Sequence, residues 1–114
     1  MVNPVGKQGE NIAAAFLKSK GYTILERNYR CPSGEIDIIC SFNGELVFVE
    51  VKTRRGTAFG VPQEAVTRRK QDHIRKSALN YMADAKHSYG NIRFDVIAIL
   101  LEPALAINHI QAAF

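Results

Sequence analysis

Apolar positions recur at two different spacings along the chain. From about Lys7 to Lys20, Ile12, Ala13, Phe16 and Leu17 share one face of a 3.6-residue period, and Gly21 stands where a helix stop belongs. A helix is predicted there, followed by a strand over Tyr22–Tyr29. Next comes "SGEIDIICSFNGELVFVEVKT", in which two strand-like runs flank Asn43-Gly44, the strongest short-range hairpin signal. "RRGTAFGVP", with two glycines and a proline, reads as a loop. Helical spacing returns from about Gln63 to Ala85. Ala65, Val66, Ile74, Ala78, Leu79 and Met82 are its expected inner stripe, and Gln63 and Glu64 its expected opening, where they cap it or help orient water. "NIRFDVIAILL" is a further strand, ended by Glu102-Pro103, and a last strand is expected within Ala104–Phe114. The order α-β-β-β-α-β-β implies an α/β fold, a mixed central sheet flanked by helices. A chain of 114 residues suits one domain, spanning 1–114.

The hairpin can be worked out residue by residue. If Asn43 and Gly44 are the central residues of a type I′ turn, Phe42 faces Glu45. Cys40 then faces Val47, Ile38 faces Val49 and Ile36 faces Val51, so one face of the ribbon is apolar. On the other face Ser41 meets Leu46 and Ile39 meets Phe48. Asp37 then meets Glu50, and Glu35 meets Lys52. A one-residue slip would swap the faces, so the alternation supports this register.

The register exposes a conflict. Asp37 and Glu50 would lie directly opposite, Cβ atoms about 4.5–5.5 Å apart, where like charges destabilise. A proton, a basic neighbour or a bound cation must offset them. Two carboxylates from adjacent strands suit a hard divalent ion such as Mg²⁺ or Mn²⁺, and the Val51 carbonyl beside them could add an oxygen ligand. Lys52 shares the face of Glu50. It could orient or help deprotonate a water, or stabilise negative charge developing on phosphate. The plain structural alternative is a salt bridge of Lys52 with Glu35 or Glu50.

Composition narrows the setting. Hydrophobic residues make up 46% and charged residues 23%, so a packed core is expected. No apolar run approaches the roughly 18 residues of a membrane helix. The opening "MVNPVGKQGEN" lacks the apolar segment of a secretory signal, so a cytoplasmic protein away from membranes is expected. Cys31 and Cys40 fall outside any CxxC spacing; reduced thiols are expected, with Cys40 a small buried hydrophobe. The net charge of +4 permits a polyanionic partner without establishing one. Arg54 and Arg55 follow Lys52 at once and are the first candidates for phosphate contacts. Arg68, Arg69, Lys70 and Arg75 are weaker ones; any that face the core side of the second helix must snorkel or pair. His73, His87 and His109 share no metal-ligand spacing, and the four tyrosines are expected to pack.

The residues also carry a resemblance. Asp37, twelve intervening residues, then Glu50-Val51-Lys52 on an apolar strand resemble the D…(D/E)xK constellation of a large nuclease superfamily that includes restriction endonucleases and archaeal Holliday-junction resolvases. The runs "GKQGENIAAAFLKSKGYTILERNYRCPSGEIDIIC" and "LVFVEVKTRRGTAFGVPQEAVTRRKQ", with the later "RFDVIAI", resemble the small bacterial YraN-like family over nearly the whole chain. The resemblance implies a restriction-endonuclease-like fold and metal-dependent hydrolysis of DNA phosphodiester bonds, on branched or junction DNA among other substrates. It matches Asp37 and Glu50 to the metal-binding acids and Lys52 to the catalytic lysine. It matches Glu10 to a glutamate that resolvases carry on an N-terminal helix near the metal; by itself Glu10 is an ordinary acid near a helix start, favourable for the dipole. A domain this small offers little surface to a four-way junction, so a symmetric homodimer is a further expectation. Two readings of other classes stay open. One is a nucleic-acid-binding protein on a nuclease-like scaffold with weak or no catalysis. The other is a structural protein whose acid pair merely shares a proton or a salt bridge.

Overall fold

The computed structural model describes residues 4–56, 66–84 and 89–114. Its elements follow the predicted order: α1 (Pro4–Ser19), β1 (Thr23–Cys31), β2 (Gly34–Phe42), β3 (Glu45–Arg54), α2 (Arg68–Asp84), β4 (Asn91–Leu100) and β5 (Ala106–Ile110). The five strands form one sheet in the order β1-β2-β3-β4-β5. β3 and β4 are parallel and every other neighbouring pair is antiparallel, so the sheet is mixed as expected. The parallel pair needs a crossover, and α2 lies within it.

Each helix covers one face of the sheet. Ala13, Ala14 and Leu17 of α1 pack with Ile38, Cys40, Val47, Val49, Ile97 and Ile99. Ile74 and Ala78 of α2 pack with Ile39, Leu46, Phe48 and Val96 on the other side. Strand side chains alternate between faces, so these two clusters are the two sides of the same strands. α1 stops where Gly21 takes a φ of +94°. The Tyr22 amide reaches back to the Leu17 carbonyl (3.0 Å) and the Gly21 amide to that of Lys18 (3.0 Å), the double bond pattern of a Schellman stop. α2 begins later than predicted. Thr67 caps it, its Oγ1 accepting from the Lys70 amide (3.2 Å) and its carbonyl from that of Gln71 (2.8 Å). Gln63, Glu64, Ala65 and His87 lie outside the described residues. Leu79, expected on the inner stripe, is instead 64% exposed.

The hairpin has the predicted turn, with positive φ at both Asn43 (49°) and Gly44 (79°). Its register runs from Phe42↔Glu45 to Ile38↔Val49 as derived. Beyond that point one expectation fails. Ile36 does not continue the face of Ile38 and Cys40; it joins the α2-side cluster. Asn28, at φ +54°, sits between the pairs Arg27↔Ile38 and Tyr29↔Ile36. β2 changes sidedness between Ile38 and Ile36, alongside this left-handed residue, a conformation asparagine tolerates. Asp37 stands at that switch.

Candidate functional site

At the switch the Asp37 carboxylate turns toward β3, where its Oδ2 accepts from the Val51 amide (2.8 Å). It also meets Glu50: the two side chains share a hydrogen bond, and both residues are buried. The predicted meeting of the two acids therefore occurs at the end of the paired stretch. Burial, then the charge of Glu50 and the hydrogen bond with it, push the Asp37 carboxyl up to about 8, against the opposing pull of the Val51 amide.

Two ammonium groups converge on the same acid. Lys52 Nζ lies 3.5 Å from Glu50 Oε2, and Lys70 Nζ, arriving from the first turn of α2, lies 2.6 Å from the same oxygen. Burial lowers the pKa of Lys52, helped by the neighbouring Lys70 and opposed by Glu50. Burial also acts to lower Lys70, but its hydrogen bond to Glu50 and that acid's charge outweigh it, so Lys70 is raised. The Lys52–Glu50 salt bridge of the plain structural reading is thus present, alongside a second one that the strand pattern did not reveal. A signal for it existed: Lys70 lies four residues after Val66 and four before Ile74, both buried, so helical spacing puts it on the inward stripe.

Glu10 comes from the α1 side. Its charge acts on Asp37 as the smallest of the named influences, and no hydrogen bond joins the two. Gly9 brings α1 this near, because a β-carbon there would collide with the Thr53 side chain on β3. Among the described residues no three His, Cys, Asp or Glu side chains are gathered closely enough to hold a metal ion by themselves. Asp37 and Glu50 supply two hard oxygen donors, and Val51 lies against them.

The expected phosphate contacts sort unequally. Arg54 is half-buried, and its Nε is shielded with no hydrogen-bond partner among the described residues. Arg55 sits 3.9 Å from Glu102 in an exposed pair, which leaves it nearly free. Arg68 lies 3.8 Å from Asp72 and Arg69 is exposed. Arg75 lies over the rings of Phe94 and Phe114 and 3.7 Å from Asp72, so its work is packing. Lys70 is a partner of Glu50 and not a free surface cation. His109 is a core histidine, its Nε2 2.7 Å from Asp95 Oδ2. Cys40 is fully buried, its thiol pushed up to about 12 chiefly by burial, the expected small hydrophobe.

Fold and cluster together define a class: a mixed α/β sheet whose parted strand ends present a buried acid pair flanked by lysines. The particular family follows from comparison. The chain belongs to the family described as "Uncharacterised protein family UPF0102", whose model matches residues 9–99. It is 47% identical over 115 residues to a UPF0102 protein of Syntrophomonas wolfei, covering 100% of both chains. It is 56% identical to one of Geotalea daltonii, covering 96% of this chain and 88% of that one. One of Pelobacter propionicus is 52% identical, covering 96% and 81%. Among the described residues no helix is long and apolar enough to cross a membrane.

Proposed function

We propose that this protein is a metal-dependent nuclease of the D…(D/E)xK kind, hydrolysing phosphodiester bonds in DNA. The observation that carries the reading is the contact of Asp37 with Glu50 at the parted strand ends, with Lys52 3.5 Å from the same glutamate. The donor set suits the cofactor. Asp37 and Glu50 bring two hard oxygen donors together in a buried place, and Mg²⁺ typically takes one or two carboxylates, with waters and substrate phosphates completing its shell. Asp37, Glu50 and the Val51 carbonyl would hold Mg²⁺ or Mn²⁺, with Glu10 as a nearby further carboxylate. The ion's chemistry there is Lewis-acid polarisation of the scissile phosphate and acidification of a water.

The chain's own groups do the rest. Lys52 places an ammonium beside the acids, where it orients the attacking water and neutralises charge building on phosphate. The Val51 amide fixes one oxygen of Asp37, leaving the other for the ion or its water. The shielded Arg54 Nε is a donor awaiting an acceptor, and a phosphate oxygen fits it. Arg55 and Arg69 extend the contact without choosing a sequence. The cytoplasm, where DNA lies, is the compartment that goes with this reading, and a branched substrate would call for two copies of so small a domain.

Incubation of labelled branched and linear DNA with Mg²⁺ or Mn²⁺ tests the reading. Wild type should cleave, and Glu50→Ala and Lys52→Ala should each lose on the order of 10²-fold or more. A pure wild type that cuts nothing, or a Glu50→Ala variant that cuts equally well, overturns it. One observation favours a second reading: Lys70 satisfies Glu50 without any metal. A nucleic-acid-binding module that does no chemistry would keep such a pair, and it would bind DNA equally well in EDTA.

A further inference from the structure

Lys70 has an unusual address. Its helix opens Arg68-Arg69-Lys70 and carries no acid in its first turn, although the N-terminus of a helix favours negative charge. Of these three cations, Lys70 is the one that leaves the helix surface and crosses to β3. There it meets Glu50 Oε2 at 2.6 Å, closer than Lys52 in the neighbouring position at 3.5 Å. Glu50 is 5% exposed, so its charge needs a partner, while the Lys70 side chain is 44% exposed and has water to return to. Such a pair is held firmly at one end and loosely at the other.

We propose that Lys70 is the resident counter-cation of the acid pair. It neutralises Glu50 while the site is unloaded, competes with the divalent ion for that carboxylate, and on release turns its ammonium toward a phosphate oxygen of the nucleic acid. The inference rests on the metal-dependent reading above and deepens it. An ammonium and a divalent ion cannot both sit against the same buried oxygen, because their like charges repel at that distance. Lysine suits the exchange better than arginine: its ammonium is compact, on a flexible stem, and makes no two-pronged clasp on a carboxylate. The first turn of α2 then gathers three cations around a helix N-terminus, an arrangement that an incoming phosphate satisfies.

Calorimetric titration with Mn²⁺ alone, without DNA, separates the possibilities. Lys70→Met should bind Mn²⁺ about five- to tenfold more tightly than wild type, the scale expected when a half-exposed ion pair no longer competes. Glu50→Gln should bind it far more weakly in either background. With DNA present, the Mn²⁺ concentration giving half-maximal cleavage should fall in Lys70→Met while the rate at saturating metal also falls. A merely structural lysine would not produce that split. Lys70→Gln, neutral and polar at a half-exposed position, repeats the experiment should Lys70→Met melt early. Equal Mn²⁺ affinity in wild type and both variants overturns the role of Lys70 and leaves the nuclease reading standing. No Mn²⁺ binding by wild type or either variant overturns the nuclease reading itself and this inference with it.

Discussion

At the scale of single residues, the acid pair makes a prediction that needs no substrate. Burial and the neighbouring Glu50 push the Asp37 carboxyl of the folded chain up to about 8, from an ordinary value of 3.8. Between those limits the folded state holds a proton that the unfolded chain has released. Stability must then fall as pH rises through that window, the reverse of the usual carboxylate behaviour. In EDTA, the urea midpoint of wild type should drop between about pH 5 and about pH 8 by more than that of Asp37→Asn. Asparagine stays neutral throughout, can still accept from the Val51 amide, and can donate to Glu50. The variant should therefore be the more stable protein at about pH 8 and fail to bind Mn²⁺. Added Mn²⁺ should flatten the wild-type slope, because the ion takes the place of the proton on Asp37. Parallel slopes for wild type and Asp37→Asn would show that the Asp37 carboxyl is not raised in the folded chain.

At the scale of elements, the hairpin was readable from residue order because a two-residue turn and a two-residue alternation leave only arithmetic. Asn43 and Gly44 name the turn, and every observed pair from Phe42↔Glu45 to Ile38↔Val49 follows from it. The arithmetic ended at Ile38, beyond which Ile36 lies on the other side of the sheet, a step that a two-residue alternation does not announce. In the sequence Lys70 is only a weaker candidate for a phosphate contact, for a similar reason: its partner Glu50, twenty positions earlier, is chosen by helix docking. That docking has its own test on the opposite face, where Gly9 lets α1 approach Thr53. Glycine inside a helix costs about 0.5–1 kcal/mol relative to alanine, so with free space Gly9→Ala would stabilise. With the Thr53 side chain in the way, the cost of overpacking, about 1–3 kcal/mol, wins. Gly9→Ala should lower the thermal midpoint and, by pushing out the helix that carries Glu10, weaken Mn²⁺ binding. Thr53→Ala removes two of the three clashing atoms and should restore part of both losses in the double variant. Additive effects would mean that the close approach is not what limits the site.

At the scale of the whole molecule, a buried ionic network on β4 lies close to the site on β3: Asp95 pairs with Val49, the residue before Glu50. Asp95 is completely buried. It accepts from Arg93 Nε and Nη2 (2.9 Å each) and from the Ala112 amide (3.0 Å), and meets His109 Nε2 at 2.7 Å. Arg93 in turn reaches Glu45 Oε1 (3.0 Å) and the Tyr22 hydroxyl (2.6 Å). Five segments of chain are tied at one point: the residue after the α1 stop, the start of β3, β4, β5 and the tail beyond it. Burial would raise the Asp95 carboxyl, but His109, Arg93 and the Ala112 amide together bring it below the usual range. Alternation along "RFDVIAI" could not announce this network, because its partners lie far off in sequence and meet only once the sheet has formed. Removing one member of a buried ion pair strands the other, at a cost of about 3–5 kcal/mol. Asp95→Ala should lose stability on that scale by urea unfolding. Asp37, Glu50, Lys52 and Lys70 touch none of these groups in any contact described above, so the fraction that remains folded should bind Mn²⁺ with wild-type affinity. A comparable loss of Mn²⁺ affinity in folded Asp95→Ala would mean that network and site are coupled through the pairing of β3 with β4, where Val49 faces Asp95 and Glu50 faces Val96.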